Sequence, residues 1–201
     1  LKKLSLIASF ALLAGSTASL AQQKAPANEK APEMYRVNMD LSTGPVVIEV
    51  TRALAPIGAD RFYNLVKARY FDGARFFRVV PNFMVQFGLA ADPKVSKTWD
   101  VTIQDDPVKT SNVRGMLTFA ATGAPNSRSQ QLFISTANNA FLDGQRFAPF
   151  GKVIEGMENV DKIYSGDRER PDQGRITAEG NAYLQKEFPN LDYIKTARIA
   201  Q

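Results

Sequence analysis

Apolar and polar side chains alternate along Tyr35-Arg36-Val37-Asn38-Met39-Asp40-Leu41, the period of a strand with one buried face. Ser42-Thr43-Gly44 supplies turn residues, and Pro45-Val46-Val47-Ile48-Glu49-Val50 follows as a second strand, so residues 35–50 form a predicted β-hairpin. From Pro56 the period becomes helical: Phe62, Leu65, Val66 and Arg69 share a face, and Asp72-Gly73 ends the segment. Short apolar runs at residues 76–80, 83–87, 116–120, 131–135 and 150–153 predict further strands. Residues 90–110 are polar and read as a loop holding the single tryptophan, Trp99. Over residues 155–164, Met157, Val160, Ile163 and Tyr164 fall on one helical stripe. Thr177 reads as the N-cap of a helix over residues 178–188 that Pro189 stops, and residues 191–199 close as a strand. Many short strands with turn-rich connections imply a mainly β, closed or nearly closed antiparallel architecture.

The N-terminal pattern is different. Leu1-Lys2-Lys3 is a short basic head, residues 4–13 are apolar, and Ala14-Gly15-Ser16-Thr17-Ala18-Ser19-Leu20-Ala21 is small and polar. That order predicts a signal peptide over residues 1–21, cleaved after Ala21, with the mature chain in the periplasm or outside the cell. The apolar part is too short to span a membrane. Residues 22–33, rich in Ala, Pro, Lys and Asn, read as a flexible leader. One domain is expected over residues 34–201, and a monomer.

Removing 21 residues from 201 leaves 180, with 23 cations (25 less Lys2 and Lys3) against 20 anions. So small an excess does not argue for nucleic acid, and no basic cluster interleaves with aromatics. There is no cysteine, which excludes thiol chemistry, and no histidine, which excludes the commonest general base and the usual zinc ligand. Ser127, Ser129 and Ser135 therefore lack the partner a hydrolase needs. Asp105-Asp106 are two adjacent acids without further ligands, so no metal is expected there. Arg168-Glu169-Arg170 reads as solvated surface.

One run departs from plain core. Phe76-Phe77-Arg78-Val79-Val80-Pro81-Asn82-Phe83-Met84-Val85-Gln86 sets a cation and an amide in an otherwise apolar segment. A buried unpaired charge costs several kcal/mol, so Arg78 needs a partner. Alternation puts Phe77, Val79 and Pro81 on one side and Phe76, Arg78 and Val80 on the other. Beyond the Pro81-Asn82 break, Phe83 and Val85 take one side, Met84 and Gln86 the other. Arg78 and Gln86 then project into one apolar-walled cavity suited to a polar, uncharged ligand.

Three patterns together resemble the cyclophilin-type peptidyl-prolyl isomerases. The first is carried by Phe76, Arg78, Pro81, Phe83, Met84, Gln86 and Gly88. The second is a strand and small-residue loop matched at Ala120, Pro125, Asn126, Gln131, Phe133 and Ile134. The third is matched at Phe141, Leu142, Asp143, Gly144, Phe150, Gly151 and Val153. Singly, Phe83, Met84, Phe133 and Leu142 read as core; only the combined pattern makes them a pocket. The chain is also similar to an exported bacterial branch, through Pro171-Asp172-Gln173-Gly174-Arg175 and Gly180-Asn181-Ala182-Tyr183-Leu184. The resemblance implies a closed eight-stranded antiparallel barrel capped by two helices, with an extra C-terminal helix and strand. It implies isomerisation of X–Pro bonds in proline-containing polypeptides, unfolded exported proteins among them, without a cofactor. Arg78 and Gln86 would be catalytic, with Phe83, Met84, Ala120, Ala121, Gln131, Phe133, Phe141 and Leu142 binding substrate. Phe77 stands where the family commonly has histidine, Ala121 where it has asparagine, and Phe141 where many members have tryptophan. The last change predicts weak binding of cyclosporin.

The residue types suit that reaction. Rotation about an amide C–N bond faces ~18–20 kcal/mol because resonance gives it double-bond character. A barrier of ~20 kcal/mol corresponds to about one event per hundred seconds. The twisted transition state loses the resonance and gains a nitrogen lone pair, so a cationic donor at that nitrogen binds it better than the planar ground state. Arginine stays charged, and Gln86 and Gln131 are placed to brace its planar fork.

Overall fold

The computed structural model describes residues 28–200; the expected signal peptide and its cleavage point lie outside them. The alternation at the start of the ordered chain becomes strand β1 (Met34–Leu41), whose odd-numbered residues are buried and even-numbered ones exposed. A turn at Ser42 and Thr43 leads into β2 (Gly44–Thr51), with Leu41 opposite Gly44 and Met34 opposite Thr51. Pro56 sits in the first turn of α1 (Pro56–Lys67), where its missing N–H costs nothing, and Phe62, Leu65 and Val66 are buried. Arg69 lies beyond the helix, exposed and in left-handed backbone. The other strands are β3 (Arg78–Val80), β4 (Met84–Phe87), β5 (Met116–Phe119), β6 (Leu132–Ser135), β7 (Pro149–Glu155) and β8 (Ile194–Ile199). Helices α2 (Pro93–Trp99), α3 (Met157–Asp161), α4 (Gln173–Glu179) and α5 (Asn181–Glu187) complete the set.

All eight strands form one antiparallel sheet in the order β3-β4-β6-β5-β7-β2-β1-β8. The sheet is curled but open, which corrects the expected closed barrel. β3 and β8 are its two edges and share no ladder; a single bridge, Arg75 to Tyr193, links the segments just before them. The reason lies at the β3 edge, where the Val79 N–H donates to the Arg168 carbonyl at 3.0 Å. A loop thus takes the place a strand would fill, satisfying the edge without closing the sheet. Nor is the last strand an addition to a finished barrel: β8 is the eighth strand and pairs with β1.

Inside the curl, Val37, Met39, Ile48, Val50, Phe62, Leu65, Phe71, Phe87, Leu117, Phe119 and Phe150 form the main core. Trp99 joins it at the end of α2, a helix started by Asp92, whose side chain accepts from the Lys94 N–H at 2.8 Å. The polar stretch read as loop therefore holds one short helix, and Trp99 packs into the core. A second cluster, Phe77, Leu89, Ile176, Tyr183, Leu184, Phe188 and Leu191, packs α4 and α5 onto the sheet. Here the helix begins at Gln173, capped by Asp172 rather than Thr177, and breaks at Gly180. Residues 28–33, assigned by sequence to the leader, lie along α1: the Glu29 N–H donates to Asn64 and the Ala31 N–H to Asp60. Among the described residues, no helix is long and apolar enough to cross a membrane.

Candidate active site

β3 and β4 are joined by a tight turn in which Asn82 takes left-handed backbone, and the register sets Arg78 directly opposite Gln86. Arg78 Nη1 donates to Gln86 Oε1 at 3.1 Å, and Gln86 Nε2 donates to Gln131 Oε1 at 2.8 Å. This chain of amides holds the guanidinium plane, and Gln86 is itself buried. Gln131 reaches it because β4 and the loop before β6 nearly touch. A Cβ on Gly88 would stand 2.3 Å from the Gln130 carbonyl oxygen, so the close approach requires glycine there. The outer edge of Arg78 is occupied too: Nε donates to Glu169 Oε1 at 2.6 Å, and Nη2 lies 2.5 Å from the same oxygen. Arg78 remains 31% exposed, and its guanidinium lies 5.9 Å from the Phe83 ring centre.

Next to it is an apolar wall of Met84, Phe133 and Leu142, all buried, with Val80, Phe83, Ala120 and Phe147 packed against them. Phe133 and Phe147 meet edge to face at 5.8 Å. The Phe83 carbonyl accepts from Asn139 Nδ2 at 2.8 Å and from the Thr136 N–H at 2.9 Å, which fixes that corner of the wall. Together these residues bound a cleft of about 360 Å³ that also meets Ala121, Thr122, Ser127, Ser129, Gln131 and Gln173. That is the scale of a site for a few residues of peptide: mostly apolar, with a few convergent polar groups.

Two anchors keep the walls in place. Arg128 is 1% exposed, and both its terminal nitrogens donate to Asp106 Oδ2 at 3.1 Å. Nη2 also donates to the Gln104 carbonyl. Asp106 in turn accepts from the first-turn N–H groups of α1, Ile57 at 3.0 Å and Gly58 at 2.8 Å. A Cβ at Gly58 would lie 3.3 Å from the Arg128 guanidinium. The acid pair dismissed as a cation site is thus a structural hub for the loop carrying Ser127, Ser129 and Gln131. Among the described residues, no group of three or more His, Cys, Asp or Glu is placed to hold a metal.

The second anchor is Asp143, in the 3-10 turn Ala140–Gln145 that presents Leu142. It accepts from Ser111 Oγ at 2.5 Å, the Asn112 N–H at 3.0 Å and Asn112 Nδ2 at 2.8 Å. Burial pushes its carboxyl up, but the hydrogen bonds from Ser111 and Asn112 outweigh that and hold it below its ordinary 3.8. A carboxyl depressed in the native state contributes stability above its unfolded pKa, and that contribution is lost as pH falls through the native value. Wild type should therefore exceed Asp143→Asn in urea midpoint at pH 7, with the gap closing below about pH 4. A gap that stays constant from pH 7 to pH 3 would contradict this role.

The cleft gathers nine of the ten residues singled out from sequence: Arg78, Gln86, Phe83, Met84, Ala120, Ala121, Gln131, Phe133 and Leu142. Phe141 is the exception; it is 60% exposed and stacks on the outside of Phe83 at 5.8 Å. The family model described as cyclophilin type peptidyl-prolyl cis-trans isomerase/CLD matches residues 36–180. The chain belongs to the cyclophilin family. It is 39% identical over 132 residues to a peptidyl-prolyl cis-trans isomerase of Acinetobacter baylyi, an alignment covering 63% of this chain and 70% of that protein. It is 38% identical over 138 residues to peptidyl-prolyl cis-trans isomerase A of Dickeya dadantii, with the same coverage, 63% and 70%. In fold it is similar to a cyclophilin-type isomerase of Cryptosporidium parvum, with a TM-score of 0.64 at 20% identity, covering 84% of this chain and 98% of that one. Cyclophilin AquaCyp293 from Hirschia baltica gives 0.62 at 17% identity, covering 84% and 75%.

Within this cyclophilin, Phe77 does not line the cleft. The strand begins only at Arg78, so the alternation read through residues 76–80 breaks: Phe76 enters the main core while Phe77 turns into the cluster under α4 and α5. Phe83, in the turn before β4, likewise leaves the side of Val85 and faces the cleft. Phe77 itself takes the position of the family's common histidine. It is 1% exposed among apolar side chains where an imidazole would have to be buried. Phe77→His should cost about 3 kcal/mol through lost packing and an unpaired buried polar group. Urea denaturation measures it, and a change under 1 kcal/mol would count against this account. Sequence reasoning missed two residues of the C-terminal segment, Glu169, which pairs with Arg78, and Gln173, which lines the cleft. No local signal marks them, since Glu169 lies 91 residues from its partner.

Proposed function

We propose that this chain is a peptidyl-prolyl cis-trans isomerase that uses Arg78 on the prolyl nitrogen. What carries the reading is the guanidinium held in plane by Gln86 beside an apolar pocket for a pyrrolidine ring. In this mechanism the ring seats among Phe83, Met84, Phe133 and Leu142. The apolar walls strip water from the amide, which disfavours its polar planar form. As the bond twists, the nitrogen lone pair that resonance had engaged becomes an acceptor. Arg78 Nη1 is within weak reach of the Met84 sulfur at 3.9 Å, a poor acceptor that yields readily to a prolyl nitrogen. No proton changes hands, consistent with a chain that has neither histidine nor cysteine. Ala121 contributes backbone rather than a side chain, and Gln131 braces Gln86.

The predicted signal peptide, residues 1–21, supports action on unfolded exported proteins in the periplasm, by a monomeric domain over residues 34–201. The alternative is a module or chaperone that grips proline segments without turnover, motivated by Phe77 in place of histidine and by the extended C-terminus. Phe77 lies outside the cleft, which removes the first of these grounds and leaves the second. The deciding experiment is exchange NMR of short X–Pro peptides with and without the protein. Line broadening between cis and trans signals is expected; binding without any increase in exchange would favour the alternative.

A further inference from the structure

The outer edge of Arg78 is where an acidic side chain of a substrate would bind. A guanidinium offers Nε and Nη2 as a fork that takes carboxylates, so a bare Arg78 would draw Asp or Glu beside a proline and pull away from the prolyl nitrogen. Glu169 already fills that fork with Oε1. Its position is built rather than incidental. The segment carrying it is fastened to β3 through Val79 and the Arg168 carbonyl, and inside itself by Arg170 N–H to Asp167 at 2.9 Å. Immediately beyond, α4 sets Gln173 on the cleft, and the cluster around Phe77 clamps α4 one residue from Arg78.

Glu169 is 58% exposed, and its Oε2 accepts no hydrogen bond among the described residues, so one carboxylate oxygen beside Arg78 is left open. The cations nearest in sequence are Arg168 and Arg170, and Arg170 is engaged by Asp167 at 2.9 Å. Among the described residues, Arg78 is the only charged side chain lining the cleft itself. We propose that Glu169 is a specificity-determining residue: it blocks acidic neighbours of the substrate proline from Arg78 and offers Oε2 to basic ones. This inference rests on the isomerase reading of the same cleft.

The test compares two pairs of peptides, with Lys or Glu directly before the proline and directly after it. Wild type, Glu169→Gln and Glu169→Asp are measured by exchange NMR for kcat/KM and by shift titration for affinity. In at least one pair the Lys-to-Glu ratio should fall about fivefold to tenfold in Glu169→Gln, the effect of one charge several ångströms away. Glu169→Asp should recover part of the ratio, and 0.5 M salt should shrink the difference. A merely structural residue would change rates for all peptides alike. Ratios that agree within twofold between wild type and Glu169→Gln in both pairs overturn the proposal, while wild-type turnover leaves the isomerase reading intact. Charge-selective affinity that Glu169→Gln abolishes, with no turnover by wild type, supports the proposal and overturns the isomerase reading. No charge-selective affinity and no turnover overturn both.

Discussion

Arg78→Ala should lower kcat/KM for X–Pro exchange about 100-fold to 1,000-fold while the protein stays folded. One charge-assisted hydrogen bond in ordinary surroundings is worth roughly 1.5–3 kcal/mol, which is about 10-fold to 150-fold in rate. A donor preorganised in a water-poor cleft is worth more, and removal of comparable donors costs about 100-fold to 1,000-fold. Arg78 is preorganised in this sense: Gln86 holds one terminal nitrogen, Glu169 the other edge, and Phe83 lies beside the plane. Arg78→Lys should lose most of the rate as well. An ammonium keeps the charge but cannot bond Gln86 and Glu169 in one plane while presenting a donor to the ring nitrogen. Because Arg78 is partly exposed and sits on an edge strand, stability should change little, so circular dichroism separates lost chemistry from lost fold. Exchange rates within threefold of wild type for Arg78→Ala would remove this residue from the mechanism.

The largest effect on stability is expected at Arg128. Its side chain is buried against Asp106, and removing it leaves a carboxylate buried with fewer partners. Breaking one side of a buried ion pair costs about 3–5 kcal/mol, and Arg128→Ala should fall in that range. The substitution also frees the loop of Ser127, Ser129 and Gln131, so surviving protein should have a raised KM. Replacing Asp106 as well should not restore stability, because the Ile57 and Gly58 N–H groups of α1 would then lose their acceptor. Denaturant unfolding at neutral pH gives the value. A loss below about 1 kcal/mol would mean the pair is solvated and that this hub is dispensable.

How far the cleft is legible in the chain depends on the distance between partners. Arg78 and Gln86 are eight residues apart across one turn, so a local pattern was enough to put them together. The apolar wall is assembled from three distant segments, and no periodicity joins Met84, Phe133 and Leu142; the family resemblance did. Alternation failed at Phe77 and Phe83 because each lies just outside the strand it was assigned to. The helix α2 was hidden by its polarity: only Ser96 and Trp99 on it are buried, too few for an amphipathic signature. Glu169 resembled any solvated acid, since what distinguishes it is a partner brought near by tertiary folding. Closure of the barrel was overestimated because counting strands says nothing about which edges meet.

The pairing of β1 with β8 has a kinetic consequence. Asn38 lies opposite Arg198, so β1 acquires one of its two neighbours only when β8, far along the chain, is present. Bringing such ends together is entropically slow, and contacts this remote in sequence place folding late. Until then β1 is an unpaired edge, able to join another chain, so a nascent copy is open to the same mispairing that threatens other newly made polypeptides. A chain emerging from the ribosome cannot finish this sheet before β8 emerges.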